Sequence, residues 1–163
     1  MFQIRDATVP DDIQIVRILF EEYAKGLGVD LCFQNFAEEL ADLPGKYSRP
    51  KGRLLVACDI PSHSEGRKEQ SFAACVALRP ASDNSCEMKR LYVRPAFRRH
   101  GLAKLMIHRV MSEAKIAGYS RIVLDTLPQM GAAIQLYRSL GFTEIDPYYP
   151  NPVAGAIFLE KQL

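Results

Sequence analysis

Arg98-Arg99-His100-Gly101-Leu102-Ala103 combines features that suit the binding of one anion. The stretch follows a strand-like run, Cys86 to Val93, and opens an amphipathic helical pattern. A strand that passes through a short loop into a helix N-terminus aims free backbone N–H groups and the positive end of a helix dipole at one spot. Gly101 lets the backbone approach a ligand closely, and Ala103 is too small to block it. Arg98, Arg99 and Lys104 add positive charge around the rim. The chemistry implied is the holding of a phosphate or pyrophosphate.

The charge pattern narrows the ligand. The whole chain carries a net charge of only +2 over 163 residues. Yet Lys89, Arg90, Arg94, Arg98, Arg99, Lys104 and Arg109 follow one another with no acidic residue between them. Local positive potential on a near-neutral chain points to a single anionic ligand rather than a polyanion. The run also lacks the interleaved aromatics that stack nucleic-acid bases, so no nucleic acid is expected as a partner.

The elements that must position this loop can be read from apolar periodicity. Phe2 to Ala7 is a first strand, and Val9-Pro10-Asp11-Asp12 starts a helix that Gly26 and Gly28 end. A second helix runs from about Asn35 to Leu43, before Pro44-Gly45. Arg53–Asp59 and Ser71–Arg79 form a hairpin around the polar, mobile segment Pro61 to Gln70, and Cys86–Val93 is the third strand of this group. Leu102 to Ala117 is a helix closed by Gly118, and Arg121–Thr126 a buried strand. A helix from about Met130 to Leu140 ends at Gly141. Strands near Phe142–Ile145 and Ala156–Glu160 flank a turn from Pro147 to Pro152. The order β-α-α-β-β-β-α-β-α-β-β predicts an α/β fold, a mixed sheet with helices on both faces, as one domain over residues 1–163.

Cys32, Cys58, Cys75 and Cys86 make no C-x-x-C pair and no zinc spacing with histidine, so no metal is expected. His63 falls in the polar loop and His108 on a helix. The longest apolar run, Phe72 to Leu78, is too short to span a bilayer, and the N-terminus has no signal-peptide pattern. A cytoplasmic protein without a membrane partner is expected.

The element order, together with the loop, resembles the GNAT superfamily of acyl-CoA N-acyltransferases over nearly the whole chain. The family motif Gln/Arg-x-x-Gly-x-Gly/Ala reads here as Arg98-x-x-Gly101-x-Ala103, behind the strand end Arg90-Leu91-Tyr92-Val93-Arg94-Pro95. A second match is Ala133-x-x-Leu136-Tyr137-Arg138-Ser139-Leu140-Gly141-Phe142. The resemblance implies a mostly antiparallel sheet, acetyl-CoA or a related acyl-CoA as donor, and an amine acceptor. Homodimers are common in the family.

It also implies roles. The backbone N–H groups from Arg98 through Arg99, His100, Gly101, Leu102 and Ala103 to Lys104 would hold the pyrophosphate. Leu91, Tyr92 and Val93 would run beside the pantetheine arm, on a strand that bulges and splays from its neighbour. The Leu91 N–H would stabilise the oxyanion. Glu87, eleven residues before Arg98, stands at the spacing of a catalytic carboxylate in some members. It would serve as base directly or through water, or would simply pair with a cross-strand Lys or Arg. Tyr137 would return a proton to the CoA thiolate, position the sulfur, or pack in the core. A base matters because holding a lysine-like amine neutral at pH 7 costs about 4.6 kcal/mol.

The chain departs from the family at Met130, where an Asn is frequent, and at Asp125 on a strand end. Asp125 either attracts a cationic acceptor or caps the following turn. Gly28 to Phe36, Tyr148, Tyr149 and Asn151 are expected to shape the acceptor pocket. Two classes of function follow: an N-acetyltransferase acting on a primary amine of a small molecule or peptide, and a non-catalytic acyl-CoA-binding regulatory module.

Overall fold

The computed structural model describes residues 1–60 and 71–163. The strands are β1 (Phe2–Asp6), β2 (Arg53–Asp59), β3 (Ser71–Pro80), β4 (Ser85–Val93), β5 (Arg121–Thr126), β6 (Thr143–Ile145) and β7 (Ile157–Gln162). The helices are α1 (Pro10–Leu27), α2 (Phe36–Asp42), α3 (Leu102–Ile116) and α4 (Gly131–Ser139). The order is the one read from the sequence. Short 3-10 turns at Cys32–Gln34, Gly45–Tyr47 and Pro95–Phe97 are added. The polar loop expected at residues 61–70, with His63, lies outside the described residues.

One sheet orders its strands β1-β2-β3-β4-β5-β7-β6. Every neighbouring pair is antiparallel except β4 and β5, which are parallel. The inner strands are buried on both faces and therefore read as continuous apolar runs. Along β2, Leu55 and Ala57 point to one core, and Leu54, Val56 and Cys58 to the other. The first core is closed by α3 and α4 through Leu102, Met106, Ile107, Val110 and Tyr137. The second is closed by α1 and α2, with Val16, Leu19, Phe20 and Leu43. A buried ion pair, Arg53 Nε to Glu113 Oε2 at 2.7 Å, ties α3 to β2.

Two irregularities shape the centre. Cys75 pairs with Tyr92 and Ala77 with Lys89, so Val76 alone faces both Arg90 and Leu91. Arg90 adopts φ 58°, and β4 bulges there. The bulge changes which residues face which side. Cys86 and Met88 point to the α3 core before it, and Leu91 and Val93 after it. Lys89 and Arg90, adjacent in sequence, both reach Gln34 in the segment joining α1 to α2, and Arg90 also reaches Glu39 on α2. The second irregularity is the parting of β4 from β5. Their register holds for three pairs, ending at Glu87 and Val123. Beyond that point β4 runs on to Val93 and β5 to Thr126 with no pairing between them.

Candidate active site

The parted strands make a narrow cleft of about 40 Å³, walled by Met88 to Leu91 on β4 and Leu124 to Thr126 on β5. Tyr137 of α4, Tyr23 of α1, Gln34, Met130 and Asn151 complete the wall. Of the expected site residues, Leu91 and Tyr137 thus share one cavity. Tyr137 is 6% exposed, and burial pushes its phenol well above the ordinary range. Met130 lies on the wall and accepts a weak contact from the Thr126 hydroxyl through Sδ at 3.7 Å.

The loop after β4 has the geometry an anion needs. Gly101 caps the N-terminus of α3 at φ 73°, and Arg99 just before it has φ 66°. The first helical bond runs from the Leu105 N–H to the Gly101 carbonyl at 3.2 Å. The N–H groups of Leu102, Ala103 and Lys104 therefore precede the helical ladder. A Cβ built on Gly101 would meet nothing within 4 Å, so the space beside this backbone is open. These features fit a pyrophosphate.

The basic run is not a single patch. Lys89 and Arg90 are buried against carboxylates, Arg94 pairs with Glu22 at 2.7 Å, and Arg109 with Glu113 at 3.0 Å. Arg98, Arg99, His100 and Lys104 remain exposed at the loop. Arg98 also donates through Nε to the Val93 carbonyl at 2.9 Å, which fixes its stem beside the end of β4.

Glu87 is buried in an ionic network. Its Oε2 accepts from Arg79 Nε at 2.7 Å, and Arg79 is its cross-strand partner on β3. Its Oε1 accepts from the Tyr148 hydroxyl at 2.9 Å and lies 3.7 Å from Lys89 Nζ. Lys89 continues the network to Asp125 Oδ1 at 3.6 Å and to Gln34 Oε1 at 3.2 Å. Asp125 Oδ2 accepts from Tyr149 and, at 3.0 Å, from Asn151 Nδ2. The Tyr149 hydroxyl in turn accepts from Gln34 Nε2 at 3.0 Å. Burial lowers the proton affinity of Lys89, against the pull of both carboxylates, and raises that of Tyr148 and Tyr149.

The pocket segments named from the sequence meet here, as Gln34 and Phe33 from one side and Tyr148, Tyr149 and Asn151 from the other. Asp125 faces the cleft. Lys89 and Arg90 were seen in the sequence only as part of a basic run. A local signal for them existed: three charges at Glu87, Lys89 and Arg90 within a buried strand require partners and a break in alternation. A second cavity of about 550 Å³ adjoins the cleft through Phe33, Gln34 and Lys89, and is bounded by α2, Arg79 and Tyr149.

Known proteins share this architecture. The family model described as acetyltransferase (GNAT) family matches residues 19–142. An uncharacterized N-acetyltransferase of Schizosaccharomyces pombe is 38% identical over 156 residues, covering 95% of this chain and 91% of that protein. A GNAT-family acetyltransferase from Staphylococcus aureus superposes with a TM-score of 0.78 at 17% identity, covering 99% of both chains. PaiA N-acetyltransferase from Thermoplasma acidophilum, in complex with coenzyme A, superposes with a TM-score of 0.72 at 16% identity, covering 100% of this chain and 99% of that one. At such identities the two structures speak for the fold alone.

Proposed function

The chain belongs to the acetyltransferase (GNAT) family and is an acetyl-CoA-dependent N-acetyltransferase; we propose that its acceptor is a primary amine of a small molecule or peptide, attacking the thioester directly. The observation that carries this reading is the cleft between β4 and β5, which opens beside a loop shaped for pyrophosphate.

In this proposal the N–H groups from Arg98 to Lys104 hold the pyrophosphate, with Arg98, Arg99 and Lys104 adding charge. Leu91, Tyr92 and Val93 lie along the pantetheine arm, and β5 leaves their edge free beyond Glu87. The Leu91 N–H points its dipole at the thioester oxygen, where negative charge develops. The amine nitrogen attacks the carbonyl carbon, and the tetrahedral intermediate collapses with the electron pair leaving on sulfur. Tyr137, kept protonated by burial, gives its proton to the thiolate. Glu87 does not line the cleft and acts at one remove: through Lys89 it sets the charge that the acceptor meets. Buried cysteines Cys75 and Cys86, outside any disulfide, fit a cytoplasmic location. Among the described residues, no helix is long and apolar enough to cross a membrane. A homodimer, as the family resemblance allows, is checked by sedimentation.

The test is thiol release from acetyl-CoA with polyamines, amino acids, aminoglycosides and peptides bearing free N-termini or lysines. A primary amine that releases thiol and gains an acetyl group by mass supports the reading. Acetyl-CoA raising the melting temperature while no amine releases thiol overturns it in favour of a binding module.

A further inference from the structure

Two carboxylates stand near the point where β4 and β5 part, and their surroundings differ. Glu87 belongs to the last registered pair, and both its oxygens accept hydrogen bonds, from Arg79 and from Tyr148. It is absent from the wall of the cleft. Asp125 is two residues further along β5 and lines the same cleft as Leu91 and Tyr137. Tyr149 and Asn151 both bond to its Oδ2. Its Oδ1 has Lys89 Nζ at 3.6 Å, beyond hydrogen-bond distance. This side chain is only 8% exposed, and Asp125 is one of the residues that wall the cleft.

We propose that Asp125 is the catalytic base: Oδ1 receives the ammonium of the incoming acceptor and takes its proton. The inference rests on the proposed acetyl transfer and assigns the step that makes the amine nucleophilic. The ammonium gives one proton to the Asp125 carboxylate and becomes a neutral amine. Its lone pair forms the C–N bond while the carbonyl π pair moves to oxygen. When the C–S bond breaks, the second nitrogen proton passes by way of Tyr137 to the departing thiolate. Asp125 then releases its proton to solvent, and the balance is amide, thiol and one proton.

Tyr149 and Asn151 are positioning residues, because by holding Oδ2 they turn Oδ1 towards the acceptor. Lys89 is another. Fixed by Gln34 beside Oδ1, its charge disfavours the ammonium form of a neighbouring amine. Around Asp125 the other titratable groups are Tyr23 on α1, Tyr137 on α4, and Tyr148 and Tyr149 before β7. Burial holds all four phenols above their ordinary range, so they stay protonated and do not accept the acceptor's proton.

The experiment measures kcat/KM against pH for the unmodified protein and for Asp125→Asn, Tyr149→Phe and Glu87→Gln. It uses the best amine of the panel and hydroxylamine, which is largely neutral at the assay pH. Acetyl-CoA binding is followed by calorimetry. Asp125→Asn is expected to lower kcat/KM by about 10²- to 10⁴-fold near neutral pH for the ammonium-forming amine, to leave its rate climbing with pH towards the amine's own pKa of about 10.4, and to cost less for hydroxylamine. Tyr149→Phe is expected to lower kcat with KM for acetyl-CoA unchanged, because Asp125 loses a hydrogen bond that holds it in place. Asp125→Glu should recover part of the rate. A rate for the ammonium-forming amine that is as independent of pH in Asp125→Asn as in the unmodified protein, a loss equally large for hydroxylamine, or a larger loss in Glu87→Gln than in Asp125→Asn overturns the proposal. Failure of the unmodified protein to bind acetyl-CoA would instead overturn the transferase reading, and the proposal with it.

Discussion

Arg90 at the bulge of β4 is gripped by Glu39 of α2 through two hydrogen bonds, from Nε to Oε1 at 3.2 Å and from Nη2 to Oε2 at 2.6 Å. The guanidinium also lies over the Phe36 ring at 5.1 Å and donates to Gln34 Oε1 at 2.8 Å. Both side chains are largely withdrawn from water, at 2% and 13% exposure. The pair therefore couples α2 to the irregular residue that precedes Leu91. Removing one partner of such a pair leaves a buried charge without compensation. We expect Glu39→Ala to destabilise the fold by about 3–5 kcal/mol, read from urea unfolding. It should also lower kcat, because Leu91 loses its fixed position.

Gly101 supplies a different kind of prediction. Its φ of 73° is a conformation that an L-residue adopts at a cost of about 1–2 kcal/mol, although the space beside it is open. Gly101→Ala should lower the stability by that amount. A methyl group in the proposed phosphate space should also raise KM for acetyl-CoA, and a KM equal to that of the unmodified protein would contradict the assignment of this loop.

Arg99 is exposed next to Gly101 in a left-handed conformation. Its loss to Ala should leave the melting temperature nearly unchanged. If the side chain reaches a phosphate, the loss of one charge-assisted bond of about 1.5–3 kcal/mol weakens acetyl-CoA binding roughly 10- to 100-fold. The effect should shrink at high salt. Calorimetry at two ionic strengths checks both points.

Glu87→Gln separates structure from catalysis. The amide can still accept one bond, but Arg79 and Lys89 lose their shared counter-charge. A loss of about 1.5–3 kcal/mol is expected in chemical unfolding. The fall in kcat should be smaller than that produced by Asp125→Asn.

Stability against pH follows from the shifted groups. Tyr47, Tyr137, Tyr148 and Tyr149 have phenols raised by burial, and the Cys86 thiol is pushed up to about 12 by burial. Above the ordinary thiol value of 9.0 the unfolded chain begins to lose protons that the folded chain retains. The unfolded state then binds fewer protons, so stability falls as pH rises from there. On the acid side, Asp12 is lowered by its hydrogen bond from Arg5, and Glu22 by that from Arg94. Their contribution is complete above the ordinary carboxylate range and is lost as pH falls through the folded values. Melting temperatures across pH should therefore decline at both ends. A flat profile above pH 9 would contradict the burial of these groups.

The order of strands and helices was legible in the sequence because it rests on local signals. Periodicity, Pro10 at a helix start, Gly28 after a helix end and the Arg98–Ala103 loop each act within a few residues of themselves. Leu91 and Tyr137 were singled out by the resemblance to the family, and both line one cavity. The partners of the charged residues were not legible. Seven basic residues in succession look like one positive patch, but strand alternation already points Lys89 inward, the bulge brings Arg90 in beside it, and Glu22 and Glu113 take Arg94 and Arg109. Glu87 and Asp125 are both acids on buried strands in sequence. Which one meets the cleft depends on where β4 and β5 part, and which of their oxygens are taken depends on Tyr148 and Tyr149, more than twenty residues away. Apolar burial is a summed, local preference that a sequence displays. The pairing of buried charges is a contact between distant segments, and only the assembled sheet and its loops decide it.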